Sequence, residues 1–114
     1  VAKVETIMVS AGVNEVVEKI RDFPEVTSEE VNGDVFEFYF SDISDMFGDL
    51  AVDVEEFDGY EGFVTSIDVY GTTWTERPER VQFFFDLLVQ RTTWELGARF
   101  DENDRPLVRR TLRK

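Results

Sequence analysis

Cysteine and histidine are both absent from the 114 residues of this chain. Without thiols there is no disulfide, no thiolate nucleophile and no Cys/His zinc site; without imidazole neither a Ser-His-Asp nor a Cys-His centre can be assembled. Glycine occurs seven times, always singly, so no glycine-rich phosphate loop exists. No apolar run approaches the roughly 18 residues of a membrane span. The stretch from Val1 to Val9 is interrupted by Lys3 and Glu5 and is too short for a targeting core, so the reading is a soluble, cytoplasmic protein. At this length the expectation is a single domain over residues 1–114 with a core that needs no staples.

Positive charge is also scarce. There are 12 bases against 25 acids, a formal net charge of −13. From Asp22 to Glu76 the chain holds sixteen acids and no Lys or Arg, whereas from Arg99 to Lys114 it holds six bases and three acids. An acidic middle of this kind repels nucleic acid and anionic lipid and attracts basic proteins. The expected partner is therefore a basic protein, with neither nucleic acid nor membrane bound directly.

What is present is apolar patterning of two periods. Between Thr75 and Arg91 the residues Val81, Phe84, Phe85 and Leu88 form one helical stripe, and Phe83, Leu87 and Val89 widen it. Pro78 suits the first turn and Thr73 or Thr75 the cap. So wide an apolar face predicts burial between sheet and helix, or else a homodimer seam or client groove. A second, ordinary amphipathic helix is predicted from Val13, Val16, Val17, Ile20 and Phe23, capped by Ser10 or Asn14 and ended by Pro24. Strands are expected at Val4–Val9, Val26–Val31, Val35–Phe40, Ala51–Phe57, Phe63–Tyr70, Trp94–Phe100 and Leu107–Leu112. Asn32-Gly33 joins the second and third, and Asp58 to Gly62 turns the fourth into the fifth. The order β-α-β-β-β-β-α-β-β predicts an α+β fold, a mostly antiparallel sheet of six to seven strands with both helices on one face. The pairing of the first strand is left open.

No residue pattern points to a cofactor. Paired carboxylates at Glu55 and Glu56 are expected in any chain this acidic, and the Asp42, Asp45, Asp49 and Asp101 to Asp104 groups do not fit a calcium loop; no catalytic, cofactor or metal residue is assigned. The acid-only block has two readings of equal weight: adaptation to high salt, or a surface that docks a basic protein. In the second reading the partner-binding residues are Asp42, Asp45, Asp49, Asp53, Glu55, Glu56, Asp58 and Glu61, with Tyr39 and Tyr60 as aromatic anchors.

The segments Phe84 to Arg91, Trp94-Glu-Leu-Gly-Ala-Arg-Phe-Asp101 and Asp104 to Leu112 together resemble the closing part of the YbjN and type III secretion-chaperone-like group. In that plan a helix leads into a strand ending in an aromatic and an acid, then a turn and a returning strand. The resemblance spans about Val13 to Leu112; the strand before the first helix is extra to it, and Thr92-Thr93 replace an Asn-bearing turn. It implies a non-catalytic, dimer-prone protein binder and carries over no catalytic residue.

Two functions are thus expected in order: an acidic binding module of the inhibitor, immunity-protein or nucleic-acid-mimic kind, and a chaperone-like client binder using apolar surface. Either way the excess of negative charge opposes the compact state. The thermal midpoint should rise from low salt to molar KCl as that repulsion is screened, and a flat profile would remove both self-repulsion and salt adaptation as features of this chain.

Overall fold

A computed structural model describes residues 5–40, 50–60, 62–71, 78–100 and 106–110, with side chains placed over 6–40, 50–57, 62–70 and 82–97. In chain order the elements are β1 (Glu5–Val9), α1 (Val13–Arg21), β2 (Val26–Asn32), β3 (Val35–Phe40), β4 (Leu50–Tyr60), β5 (Phe63–Gly71), α2 (Pro78–Arg91), β6 (Leu96–Phe100) and β7 (Pro106–Arg110). The strands make one sheet, β2-β3-β4-β5-β1-β6-β7, and every neighbouring pair is antiparallel. β1 is no appendage; it fills the place between β5 and β6. The architecture is the expected α+β one.

Strand alternation decides where the core lies. Phe38 and Phe40 of β3, Leu50, Val52 and Val54 of β4, Ile67 and Val69 of β5, Ile7 and Val9 of β1 and Leu96 of β6 share one face and are buried. Both helices cover that face. α1 contributes Val16, Val17 and Ile20, with Phe23 just beyond its end, and α2 contributes Phe84, Phe85, Leu87 and Leu88. The wide stripe of α2 is thus largely consumed inside the chain. Phe84 sits at its centre, its ring edge-on to Phe40 at 5.6 Å between centroids and tilted against Phe23 at 6.3 Å. It touches the sheet and the end of α1 at once.

Polar contacts lock the helices in the same place. Arg91, at the end of α2, forms a two-pronged bond to Glu25 at 2.9 and 2.7 Å and lies 4.7 Å over the Phe23 ring. Trp94 donates its indole N–H to Glu15 on α1 at 2.8 Å. Thr65, a buried polar side chain, donates to the Ala11 carbonyl at 2.6 Å and ties β5 to the chain entering α1.

Several boundaries differ from expectation for identifiable reasons. Neither Ser10 nor Asn14 caps α1: the N-cap is Gly12 in extended conformation without a side-chain bond, because the Ser10 hydroxyl accepts the Glu95 N–H and joins β1 to the start of β6. Asn32 is the last ladder residue of β2, paired with Val35, and the turn is Gly33-Asp34 with Gly33 at φ +60°. β4 runs into the expected turn as far as Tyr60, which pairs with Phe63 across an irregularity after Glu56; Gly62, at φ +85°, makes the reversal. Trp94 precedes β6, its side chain serving the helix contact instead. Thr73 and Thr75, the expected caps of α2, lie outside the described residues.

Phe84→Ala should cost about 3–5 kcal/mol, since it opens a cavity where three elements meet, whereas Asn14→Ala should stay within about 0.5 kcal/mol because no cap is lost. Urea unfolding of the two variants checks both; a strong loss for Asn14→Ala would put the cap back on that side chain.

Candidate functional site

The face of the sheet away from the helices is set by the same alternation that builds the core. In β3 the residues alternating with Phe36, Phe38 and Phe40 are Glu37 and Tyr39; in β4 those between the buried aliphatics are Ala51 and Asp53, then Glu55; in β5 they are Ser66, Asp68 and Tyr70. Register turns these strand patterns into rows. Glu30 lies opposite Glu37, Glu37 opposite Asp53, Asp53 opposite Asp68, and Asp68 opposite Thr6. Four carboxylates therefore cross four strands side by side. The next row holds Ser28, Tyr39, Ala51 and Tyr70, with Ala51 fully buried between the two tyrosines.

The phenols and small polar groups hold the acids in place. Glu37 accepts from Asn32 Nδ2 at 2.9 Å on one oxygen and from the Tyr39 hydroxyl at 3.1 Å on the other. Asp53 accepts from the Tyr70 hydroxyl at 2.9 Å and Asp68 from the Thr6 hydroxyl at 2.6 Å. All these donors are neutral. Of the bases whose side chains are described, Lys19, Arg21 and Arg91 all lie on the helices, and two are engaged there: Arg21 with Glu29 and Arg91 with Glu25; Arg99 of β6 and Arg109 and Arg110 of β7 have side chains outside the described set.

Asp53 feels both its burial and the acids around it. Burial pushes the Asp53 carboxyl above its usual range; the Tyr70 bond pulls it partly back, and the negative charges of Glu37, Asp68 and Glu55 push it up again. The Tyr70 phenol is driven up by burial and by its bond to Asp53, and the Tyr39 phenol by its bond to Glu37. Both phenols therefore stay protonated as donors, which leaves the outward lone pairs of the carboxylates to accept from something else. Such a face can receive several N–H donors of guanidinium or ammonium groups. Among the described residues no group of three acids is arranged to hold a metal ion.

The structure sorts the sequence-derived residues unevenly. Tyr39, Asp53 and Glu55 share the open face, with Tyr39 half-buried. Glu56 does not join them: as the next residue along the strand it falls on the helix side, opposite Thr65 and beside the start of α1. Asp58 and Tyr60 lie in the β4 backbone, but their side chains are outside the described set, as are Asp42, Asp45, Asp49 and Glu61 altogether. Missed were Glu30, Glu37, Asp68 and Tyr70. The alternation of β3 already put Glu37 beside Tyr39, while Asp68 and Tyr70 needed the pairing of β4 with β5.

A second concavity, a groove of about 570 Å³ between α1 and the end of α2, is lined by Glu15, Glu18, Lys19, Asp22, Arg91 and Trp94. Its Arg91 and Trp94 donors are already committed to Glu25 and Glu15, and its charges are mixed. The open sheet face is the stronger candidate. No family model, no curated protein and no solved structure matches this chain.

The raised Asp53 carboxyl has a signed consequence. Its folded state takes up a proton more readily than the unfolded chain, so the penalty for charged Asp53 is fully present at neutral pH and is relieved as pH falls through the raised value toward the ordinary 3.8. Glu25 and Glu29 act oppositely: bonded to Arg91 and Arg21 they sit below their ordinary 4.5, and their stabilisation is lost as pH drops below that value. Asp53→Asn should therefore raise the thermal midpoint at pH 7, and its advantage over wild type should shrink steadily toward pH 4. Parallel midpoint curves for the two proteins would show that Asp53 carries no such penalty.

Proposed function

We propose that this chain is a non-catalytic binding module that docks the basic surface of a partner protein on the open face of its sheet, in the manner of an inhibitor, an immunity protein or a nucleic-acid mimic. The observation that carries the reading is the row Glu30, Glu37, Asp53 and Asp68, each opposite the next in the ladder, with neutral donors fixing three of them. Like charges directly opposite in a sheet destabilise it. Acids placed only to keep a protein hydrated in high salt gain nothing from such alignment, whereas a surface that must meet several cations at once gains preorganised acceptors. Tyr39 and Tyr70 add flat apolar area beside the acids, on which guanidinium groups stack.

The client-binding alternative has less to draw on. Among the described residues the exposed large apolar side chains are Val31, Val64 and Val89, one each on β2, β5 and α2. Of the apolar stripe of α2 that suggested a groove, Phe84, Phe85, Leu87 and Leu88 are in the core.

The test is the triple variant Glu37→Gln, Asp53→Asn, Asp68→Asn, which keeps shape and acceptor oxygens while removing charge. It should fold with a thermal midpoint at low salt equal to or above that of wild type. A basic protein captured from lysate of the source by the wild-type chain, and released by moderate KCl, should bind the variant weaker by about tenfold or more. Undiminished capture by the variant would refute docking on this face.

A further inference from the structure

β2 ends the sheet, and no described strand follows it beyond Glu29, Glu30 and Val31. The two-residue turn Gly33-Asp34 makes Asn32 and Val35 a hydrogen-bonded pair, and such pairs alternate back along the hairpin. Glu30 thus exchanges its backbone bonds with Glu37, while the N–H and C=O of Glu29 and Val31 aim outward. The side chains along this edge are mostly open to water, and Val31 is the most exposed large apolar side chain of the described set at 55%. The helices pack mainly on β3, β4 and β5 and on β1, β5 and β6, which leaves Val31 beside half-buried Phe36 as a small uncovered apolar step on the helix side. On the other side of the same strand, Glu30 is the outer end of the acid row.

From this geometry we infer that the partner contributes an extended basic segment that adds to β2 as an eighth, antiparallel strand, with apolar residues opposite Glu29 and Val31 and a Lys or Arg opposite Glu30. The inference rests on the proposed docking of a basic protein and specifies the part of that protein which docks. A residue directly opposite Glu30 lies about 5 Å away between Cβ atoms, so a cation there becomes the next member of the row and the first of positive sign. An apolar residue opposite Val31 closes the step over Phe36. Backbone bonds at Glu29 and Val31 supply affinity and the alternation supplies specificity, as in strand addition generally. A second copy of this chain is a poor occupant: antiparallel pairing of β2 with itself centred on Glu29 sets that carboxylate against its own copy, centring on Glu30 does the same to Glu30, and each copy brings a net charge of −13.

The probe is the acetylated, amidated peptide Val-Lys-Val-Lys-Val-Lys-Val, compared with two versions N-methylated on its backbone, one at every Val and one at every Lys. In the inferred register the Val amides face β2 and the Lys amides face away. Methylation at Val should therefore weaken binding by about tenfold, the loss of a few backbone bonds, while methylation at Lys should leave it nearly unchanged. On the protein side, Val31→Pro removes an edge-facing N–H and should mimic the Val-methylated peptide, and binding should slow hydrogen exchange at the Glu29 and Val31 amides of wild type. Equal binding of all three peptides would overturn strand addition while leaving charge docking on the open face intact. No binding of any peptide at millimolar concentration and low salt would overturn it too, with the capture experiment on the triple variant still deciding the broader function. A wild-type dimer in sedimentation that Val31→Pro dissolves would assign the edge to a second copy and overturn the inference. The peptide comparison stands even if the proline variant fails to fold.

Discussion

Two helices cover one face of a seven-stranded antiparallel sheet, and this one-sided cover governs the rest of the molecule. Every strand must deliver apolar side chains at alternate positions to the helix side, and what occupies the intervening positions faces the other way, where no second layer stands among the described residues. Phe84 is the point where the cover is fastened, because its ring meets Phe40 of the sheet and Phe23 after α1 together. The Arg91–Glu25 pair and the Trp94–Glu15 bond sit around the same junction. Fixing the helices there fixes which face of β3, β4 and β5 is left open, and so which side chains can do anything besides fold.

Those intervening positions hold acids and tyrosines where serine, threonine or mixed charges would satisfy the same pattern at lower cost. The middle of the face is also drier than an open surface usually is: Met8, Ala51 and Ser66 are buried on it. A carboxylate placed beside such surface is partly desolvated, which is why Asp53 ionises less readily than a free aspartate, whereas half-buried Glu29, bonded to Arg21, ionises more readily than a free glutamate. The two trends have different causes: on the helix side Glu29 meets an arginine, while Asp53 on the open side is partly buried and accepts from the neutral Tyr70 hydroxyl.

The fold was largely legible in the sequence because it depends on local periodicity. Val35 to Phe40 announces its two faces residue by residue, the spacing of Val13, Val16, Val17 and Ile20 announces α1, and Gly33 marks a reversal whose position was off by one residue. What was not legible depends on contacts between distant segments. Asp68 stands alone among apolar residues in its own strand and becomes part of a row only when β5 is set against β4. Glu55 and Glu56 look like one charge cluster in sequence, yet a period of two sends them to opposite faces. Ser10 looks like a cap but is taken by Glu95, 85 residues away. The face was therefore half visible: Tyr39, Asp53 and Glu55 could be named from composition and alternation, while the order of the row could come only from register.

Register also gives the face a direction. The row begins at the central strands, where Asp68 is held by Thr6, and runs outward through Asp53 and Glu37 to Glu30 on the last strand of the sheet. Asp68, Asp53 and Glu37 are half-buried and Glu30 is exposed, and at Glu30 the neighbouring place is empty of any described strand. An edge strand with free backbone groups invites pairing, and charges on it are the usual protection against the wrong pairing. Here the protecting charges all have one sign and continue a row of the same sign. A strand bearing carboxylates is turned away from this edge, and one bearing lysine or arginine is drawn to it, so the feature that keeps copies of the chain apart is the one that selects a basic partner.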